Sequence, residues 1–266
     1  MKLTATVLSL AVATSACIHH ARRSDGVKVS TFNYTATGGP LNWYGLDPEA
    51  NSDCAKGKHQ SPIVIDTEEF QVASGSSLNF DISETDKAEF ENLGSTIEVP
   101  LKNGKITVQD TDFFLTQFHF HTPSEHRIDD EHYPMEAHFV FKSSDKRISV
   151  VGFLFELTSD YTDLPFAEVF LHVSDIKEPG TSTHTGSLDF STLMQHISDH
   201  NIYQYSGSLT TPPCSEHVAW YISPKPMSLS VHDYNKVKKV VKYNARYTQN
   251  TLGQDNLLEV AAKSLG

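Results

Sequence analysis

Basic residues are scarce: 21 lysines and arginines stand against 33 aspartates and glutamates, a formal net charge of −12 over 266 residues. Such a surface repels polyanions, which excludes a nucleic-acid partner and an anionic membrane surface. Long apolar runs are missing beyond the N-terminus. After residue 16 no stretch approaches the roughly twenty apolar residues that a helical membrane span needs. Internal repeats, low-complexity tracts and an interdomain linker are absent too, so the chain reads as one domain. Cysteine is rare, with 3 residues, which allows at most one intrachain bridge. What is present is an ordinary globular balance, 38% hydrophobic and 10% aromatic, in a chain long enough for a substantial core. A monomer or small homo-oligomer is expected.

At the N-terminus Lys2 precedes an apolar run from Leu3 to Ala16 that ends in the small residues Thr14, Ser15 and Ala16. This pattern reads as a secretory signal peptide over 1–16. The segment 17–30, with its Arg22-Arg23 pair, is expected to be disordered or processed, and the folded domain to span 31–266. The protein is therefore expected to be secreted, with a cell-wall or periplasmic location as variants of the same route. Asn33-Tyr34-Thr35 is an N-glycosylation sequon.

The body of the chain reads as mainly β or α+β. Leu78–Ile82, Thr96–Val99 and Lys105–Val108 alternate apolar with polar residues, and Asn103-Gly104 between the last two predicts a hairpin turn. Ile148–Phe155 is almost continuously apolar, which marks a central strand buried on both sides. Short helical patterns occur over Leu164–Val173 and Leu188–Ser198. A third is opened by Ser230 with Asp233 and runs over Val231–Tyr243, placing Val231, Tyr234, Val237 and Val241 on one side and Lys236, Lys238, Lys239 and Lys242 on a basic face.

The chemistry is concentrated in Gln117-Phe118-His119-Phe120-His121 and Glu136-Ala137-His138-Phe139-Val140. Alternate residues of a strand share a face, so His119 and His121 stand in one row with Phe118 and Phe120 behind them. An antiparallel neighbour brings His138 beside the pair. A lone His-x-His is more often a pair of half-buried histidines than a metal site. Three imidazoles without a fourth protein ligand are instead the donor set of a catalytic zinc with one open position. Gln117 and Glu136, each two residues before a histidine, are placed to accept its outer N–H.

These motifs, with Gln-Ser-Pro-Ile at 60–63, Pro-Ser-Glu-His at 123–126 and Ser-Leu-Thr-Thr-Pro-Pro-Cys at 208–214, resemble an α-class carbonic anhydrase from about Trp43 to about Arg246. The resemblance implies a single domain built on a large twisted, mostly antiparallel central sheet with short peripheral helices. It implies Zn²⁺ as cofactor, reversible hydration of CO2 to bicarbonate and a proton by a zinc-bound hydroxide, with secondary esterase activity, and anions and sulfonamide-type ligands at the zinc. Thr210 would orient the hydroxide, Glu125 would accept from Thr210, and Val140, Val150, Leu209, Thr211 and Trp220 would line the substrate pocket. The family's secreted members join positions matching Cys54 and Cys214, and Ser61–Pro62 and Pro212–Pro213 are expected in cis. Two departures stand out. The family's Trp-x-Tyr at the cavity mouth is here the adjacent pair Trp43-Tyr44. The proton-shuttle histidine of the better catalysts is replaced by Ser95, with Glu98, taken as an unperturbed glutamate, the nearby carboxylate. The competing reading is a binding module on the same fold, against which the retained histidines argue.

Overall fold

The computed structural model describes residues 26–265, so the expected signal peptide, the Arg22-Arg23 pair and one of the three cysteines, Cys17, lie outside the described residues. The expected large sheet is present, with 11 strands, and a separate 3-stranded sheet lies beside it. Its centre is three long strands. Thr111–His121 and Met135–Ser143 are antiparallel, and Ile148–Thr158 pairs antiparallel with Met135–Ser143 and parallel with Glu216–Ser230. Ile148–Thr158 lies between two long partners and is almost wholly buried from Ser149 to Phe155, as its apolar run requires.

Alternation sorts the side chains of these strands onto two faces. Phe118, Phe120, Phe139, Phe141 and Phe153 fill the core on one face with Phe166, Phe170 and Phe190 from the helical side. Phe118 and Phe139 are cross-strand partners whose rings stack at 4.6 Å. Each buried phenylalanine contributes roughly 1.5–3 kcal/mol of transfer free energy, so this face carries a large share of the core, with a second apolar cluster around Val150, Leu154, Trp220 and Ile222. His119, His121, Glu136 and His138 occupy the other face.

Several sequence expectations need correction. Asn103-Gly104 is not a hairpin turn joining Ile97–Pro100 to Gly104–Val108. Those two strands pair in succession along Thr111–His121, which at 11 residues is long enough to serve both. The tight turn is at Gln109 and Asp110, both with positive φ, where Val108 pairs with Thr111. The helices are shorter than their patterns. Phe166–Phe170 starts after Pro165, Ser191–Asp199 begins three residues later than predicted, and Val231–Val241 ends at Lys242 with φ 63°. Ser230 caps the last of these by accepting from the Asp233 N–H at 3.1 Å, but Val231 is exposed and leaves Val237 as its buried anchor.

The N-terminal segment is docked at its end. Ser30 N donates to the Leu93 carbonyl at 2.9 Å, and the Ser30 and Ser95 hydroxyls bond at 2.7 Å. Ser61–Pro62 and Pro212–Pro213 are cis, as are Thr122–Pro123 and Leu164–Pro165. Cys54 and Cys214 form a disulfide across 160 residues and pack with Trp43 in a small buried cluster. The bridge fixes the loop that carries Thr210 to the segment before the first strand.

Candidate metal centre

Antiparallel register puts His138 directly opposite His119, and His121 follows two residues along the same face. The ring centroids of His119 lie 5.0 Å from His121 and 5.3 Å from His138, and those of His121 and His138 lie 4.6 Å apart. One nitrogen from each falls within 4.8 Å of the others. The outward nitrogens are all engaged. His119 Nδ1 bonds Gln117 Oε1 at 2.8 Å, His121 Nδ1 bonds the Asn244 carbonyl at 2.8 Å, and His138 Nε2 bonds Glu136 Oε1 at 2.7 Å. Each acceptor keeps the proton on the outer nitrogen, which leaves the inner lone pairs of His119, His121 and His138 convergent.

Burial lowers the pKa of all three imidazoles, well below the ordinary value for His119 and to about 4 for His121, so they are neutral donors at physiological pH. His121 Nε2 is buried and has no hydrogen-bond partner. Glu125 Oε2 is likewise unpartnered, and it lies 3.4 Å from His121 Nε2 and 3.9 Å from His138 Nδ1. Burial raises the Glu125 carboxyl to about 7. Orphaned acceptors converging beside a hard-to-ionise carboxyl are what a divalent cation resolves, so the residues fit a metal.

His126, Glu136 and His138 also cluster closely enough to suggest ligands. Their atoms are spent on each other. Glu136 Oε1 accepts from His126 Nδ1 and His138 Nε2, both at 2.7 Å, and Oε2 accepts from the N–H groups of Glu125 and His126. Burial works to raise Glu136, but His126 and His138 outweigh it and hold the carboxylate well below its usual range. Gly152 makes room for this carboxylate, since a Cβ there would meet Glu136 Oε1 at 3.2 Å and Ile222 at 2.7 Å. His126 Nε2 continues to the Tyr205 hydroxyl at 2.7 Å, and Tyr205 to Ser61 Oγ at 2.8 Å.

Thr210 is buried beside Glu125, where its hydroxyl favours the ionised carboxyl without closing a hydrogen bond of regular geometry to Oε2. Glu125 Oε1 accepts from the Arg246 backbone N–H at 2.8 Å. Val150 and Trp220 sit in one buried apolar cluster, with Val140 and Leu209 packed against it. Thr211 is half-buried and accepts the Cys214 N–H at 2.8 Å in the same loop.

Two expectations about the cavity rim change, and the Trp43-Tyr44 departure is resolved. Tyr44, already a departure from the family's spacing, stacks under Lys56. Tyr34 instead joins the aromatic cluster, edge-on to Trp43 at 5.6 Å, with its hydroxyl buried, unpartnered, and pushed well above its ordinary pKa by burial and then by Glu125. Ser95 is not an open rim position but is 6% exposed beneath Ser30. Glu98 is not an unperturbed glutamate. It is pushed up to about 7 by burial and then by Glu91, its cross-strand partner, while His119 flanks it on the other side.

The Glu98 shift makes a stability prediction. Its folded pKa exceeds the unfolded value, so the cost of ionising it is absent below about pH 4, grows up to about pH 7 and is complete above. At full extent it is about 3 kcal/mol before discounting for solvent screening of the partly exposed side chain. Glu98→Gln should therefore raise the thermal midpoint clearly at about pH 8 and little at about pH 5. Equal changes at both would remove the burial argument.

Sequence reasoning assigned no site role to Tyr34, His126, Tyr205 or Asn244. His126 carried a signal in its four-residue motif. Asn244 acts on His121 through its backbone carbonyl, and carbonyls have no sequence signature.

The sheet and site define a candidate metal centre of three imidazoles beside a threonine and a carboxyl. The family model for eukaryotic-type carbonic anhydrase matches residues 38–257, and the chain belongs to that family. It is 56% identical to a fungal α-carbonic anhydrase from Aspergillus oryzae, at a TM-score of 0.85, covering 88% of this chain and 99% of that one. An α-carbonic anhydrase from Thermovibrio ammonificans, solved with the inhibitor sulfanilamide, is 34% identical with a TM-score of 0.74, covering 84% and 96% of the two chains. A carbonic anhydrase of Pectobacterium atrosepticum is 32% identical over 238 residues, 88% of this chain and 91% of the relative.

Proposed function

We propose that the protein catalyses the reversible hydration of CO2 to bicarbonate and a proton, with one Zn²⁺ held by His119, His121 and His138. The observation that carries this is the convergence of three neutral, outwardly hydrogen-bonded imidazoles on a buried His121 Nε2 that has no partner. When bound, Zn²⁺ supplies a Lewis acid that brings the ionisation of water to about 7, a value for which carbonic anhydrase is itself the reference case. The chain's own residues do the rest. Gln117, Asn244 and Glu136 fix the three rings. Thr210 orients the attacking oxygen, and Glu125, held by the Arg246 N–H, accepts from the Thr210 hydroxyl. CO2 rests on the apolar wall of Val140, Val150, Leu209 and Trp220, and the Thr210 amide with Thr211 contacts bicarbonate. Anions and sulfonamides compete at the same open side.

Secretion is part of the proposal. It is supported by the apolar run to Ala16 and by the Cys54–Cys214 bridge, a kind of bond that persists in oxidising compartments. The folded unit proposed is 31–266, with Ser30 docked against it.

Stopped-flow CO2 hydration and ester cleavage are to be measured on zinc-loaded protein and again after chelation. Both activities should vanish with the metal and return with zinc. A zinc-loaded protein inert towards CO2 would favour a binding module on this fold. A finer test separates orientation from metal binding. Thr210→Ala and Glu125→Gln should each lower kcat/KM by roughly two orders of magnitude with zinc content unchanged. Because the two residues act in series, the double variant should lose little more than either single one. Fully multiplicative losses would show that they act independently.

A further inference from the structure

A cavity of about 550 Å³ opens between the end of the Val231–Val241 helix and the segment after Asp175. Four lysines line it: Lys177 from that segment, and Lys236, Lys239 and Lys242 from the helix and its end. Only Lys236 is compensated, by Asp233 at 3.2 Å; among the described residues Lys177, Lys239 and Lys242 enter no ion pair. Glu178 is the one carboxylate on the lining, and Ser174 adds a hydroxyl. A helix C-terminus attracts cations, which accounts for lysines on the last turn. It does not account for Lys177 across the hollow, nor for uncompensated positive charge gathered in one place on a chain of net charge −12.

The wall of this cavity leads directly to a metal ligand. Lys242 has a left-handed φ of 63°, and its carbonyl accepts from Thr122 Oγ1 at 2.6 Å. Two residues on, Asn244 accepts from His121 Nδ1, while its side chain bonds Thr122 N at 2.7 Å and the Phe120 carbonyl at 2.8 Å. A strained backbone position of this kind persists where its surroundings hold it in place.

We propose that this cavity binds a multiply charged inorganic oxyanion, of the phosphate or sulfate type, between Lys177, Lys239 and Lys242, and that the bound anion steadies residues 242–244 and so the hold on His121. Lys177, Lys239 and Lys242 are exposed on the cavity lining, and three ammonium groups favour a dianion over chloride or bicarbonate because each adds to the Coulomb attraction, which doubles with the anion's charge. The coupling to His121 rests on the zinc reading above; the anion site does not.

The test uses zinc-loaded protein of measured metal content, saturated with sulfanilamide to block anions at the metal. Thermal unfolding is compared in phosphate and in chloride at equal ionic strength. Phosphate should raise the midpoint by a few degrees beyond chloride, and sulfate should do the same. Lys239→Gln/Lys242→Gln should abolish that increment, whatever its own midpoint, and the arginine pair should keep it. Zinc loss to a chelator, without sulfanilamide, should slow about fivefold in phosphate for the wild type and not for the glutamine pair. No increment over chloride, or one that survives in the glutamine pair, would overturn the anion site. An increment seen only without sulfanilamide would place the anion at the metal and overturn it equally. An increment with unchanged zinc loss would overturn the coupling. Metal content measured beforehand keeps failure of the zinc reading separate from all of these.

Discussion

His121→Ala is expected to abolish CO2 hydration and to yield protein without bound zinc that is still folded. His121 is fully buried, its outer nitrogen is tied to the Asn244 carbonyl, and its inner nitrogen has no partner within the protein. Removing it takes away one of three ligands, and two imidazoles do not reproduce the donor set. The fold is expected to survive because the apolar layer lies on the opposite face, where Phe118, Phe120 and Phe139 pack against the helical side. His119→Ala and His138→Ala should behave alike. Gln117→Ala should be milder, costing roughly 10- to 100-fold in metal affinity or activity, since it removes an acceptor and leaves all three ligands in place. Metal analysis, near-ultraviolet circular dichroism and hydration rates on the same preparations decide the matter. Full activity with any one histidine missing would end the zinc proposal.

What could be read from the sequence follows from the range of each interaction. The histidine row was legible because strand alternation is local: once Gln117–His121 is extended, the faces of His119 and Phe118 follow from backbone geometry alone. The pairing with Glu136–Val140 was legible because both stretches carry matching polar and aromatic faces. The Asn103-Gly104 turn failed because a local signal competed with a distant partner, the long Thr111–His121 strand, that could take both neighbours in turn. Tyr34 lay in a segment without periodicity, and only its packing on Trp43 gives it meaning. The Glu98 shift was out of reach because burial and the opposed Glu91 are tertiary facts.

The turnover number is expected to depend on buffer, and the effect should be large. Hydration leaves a proton to be exported, and we propose that Ser95 stands where the family's better catalysts carry a histidine, which leaves that position unable to accept it. The structure sharpens this. Ser95 is buried, its hydroxyl is held by Ser30, and its carbonyl accepts from Asn244, so it presents no acceptor to solvent. With water as the acceptor, an acid constant of about 10⁻⁷ M and a diffusional ceiling of about 10¹⁰ M⁻¹s⁻¹ limit release to roughly 10³ s⁻¹. That is about a thousandfold below the turnover near 10⁶ s⁻¹ for which carbonic anhydrase is the reference. Raising the concentration of a small buffer with a pKa near 7, such as imidazole, should therefore raise kcat and leave kcat/KM unchanged. Ser95→His should raise kcat at low buffer and flatten the dependence once the side chain displaces Ser30. A wild-type kcat near 10⁶ s⁻¹ and indifferent to buffer would mean that another group carries the proton. Glu98→Gln then becomes the informative variant: if it restores buffer dependence, Glu98 is the carrier, and the weight placed on Ser95 fails.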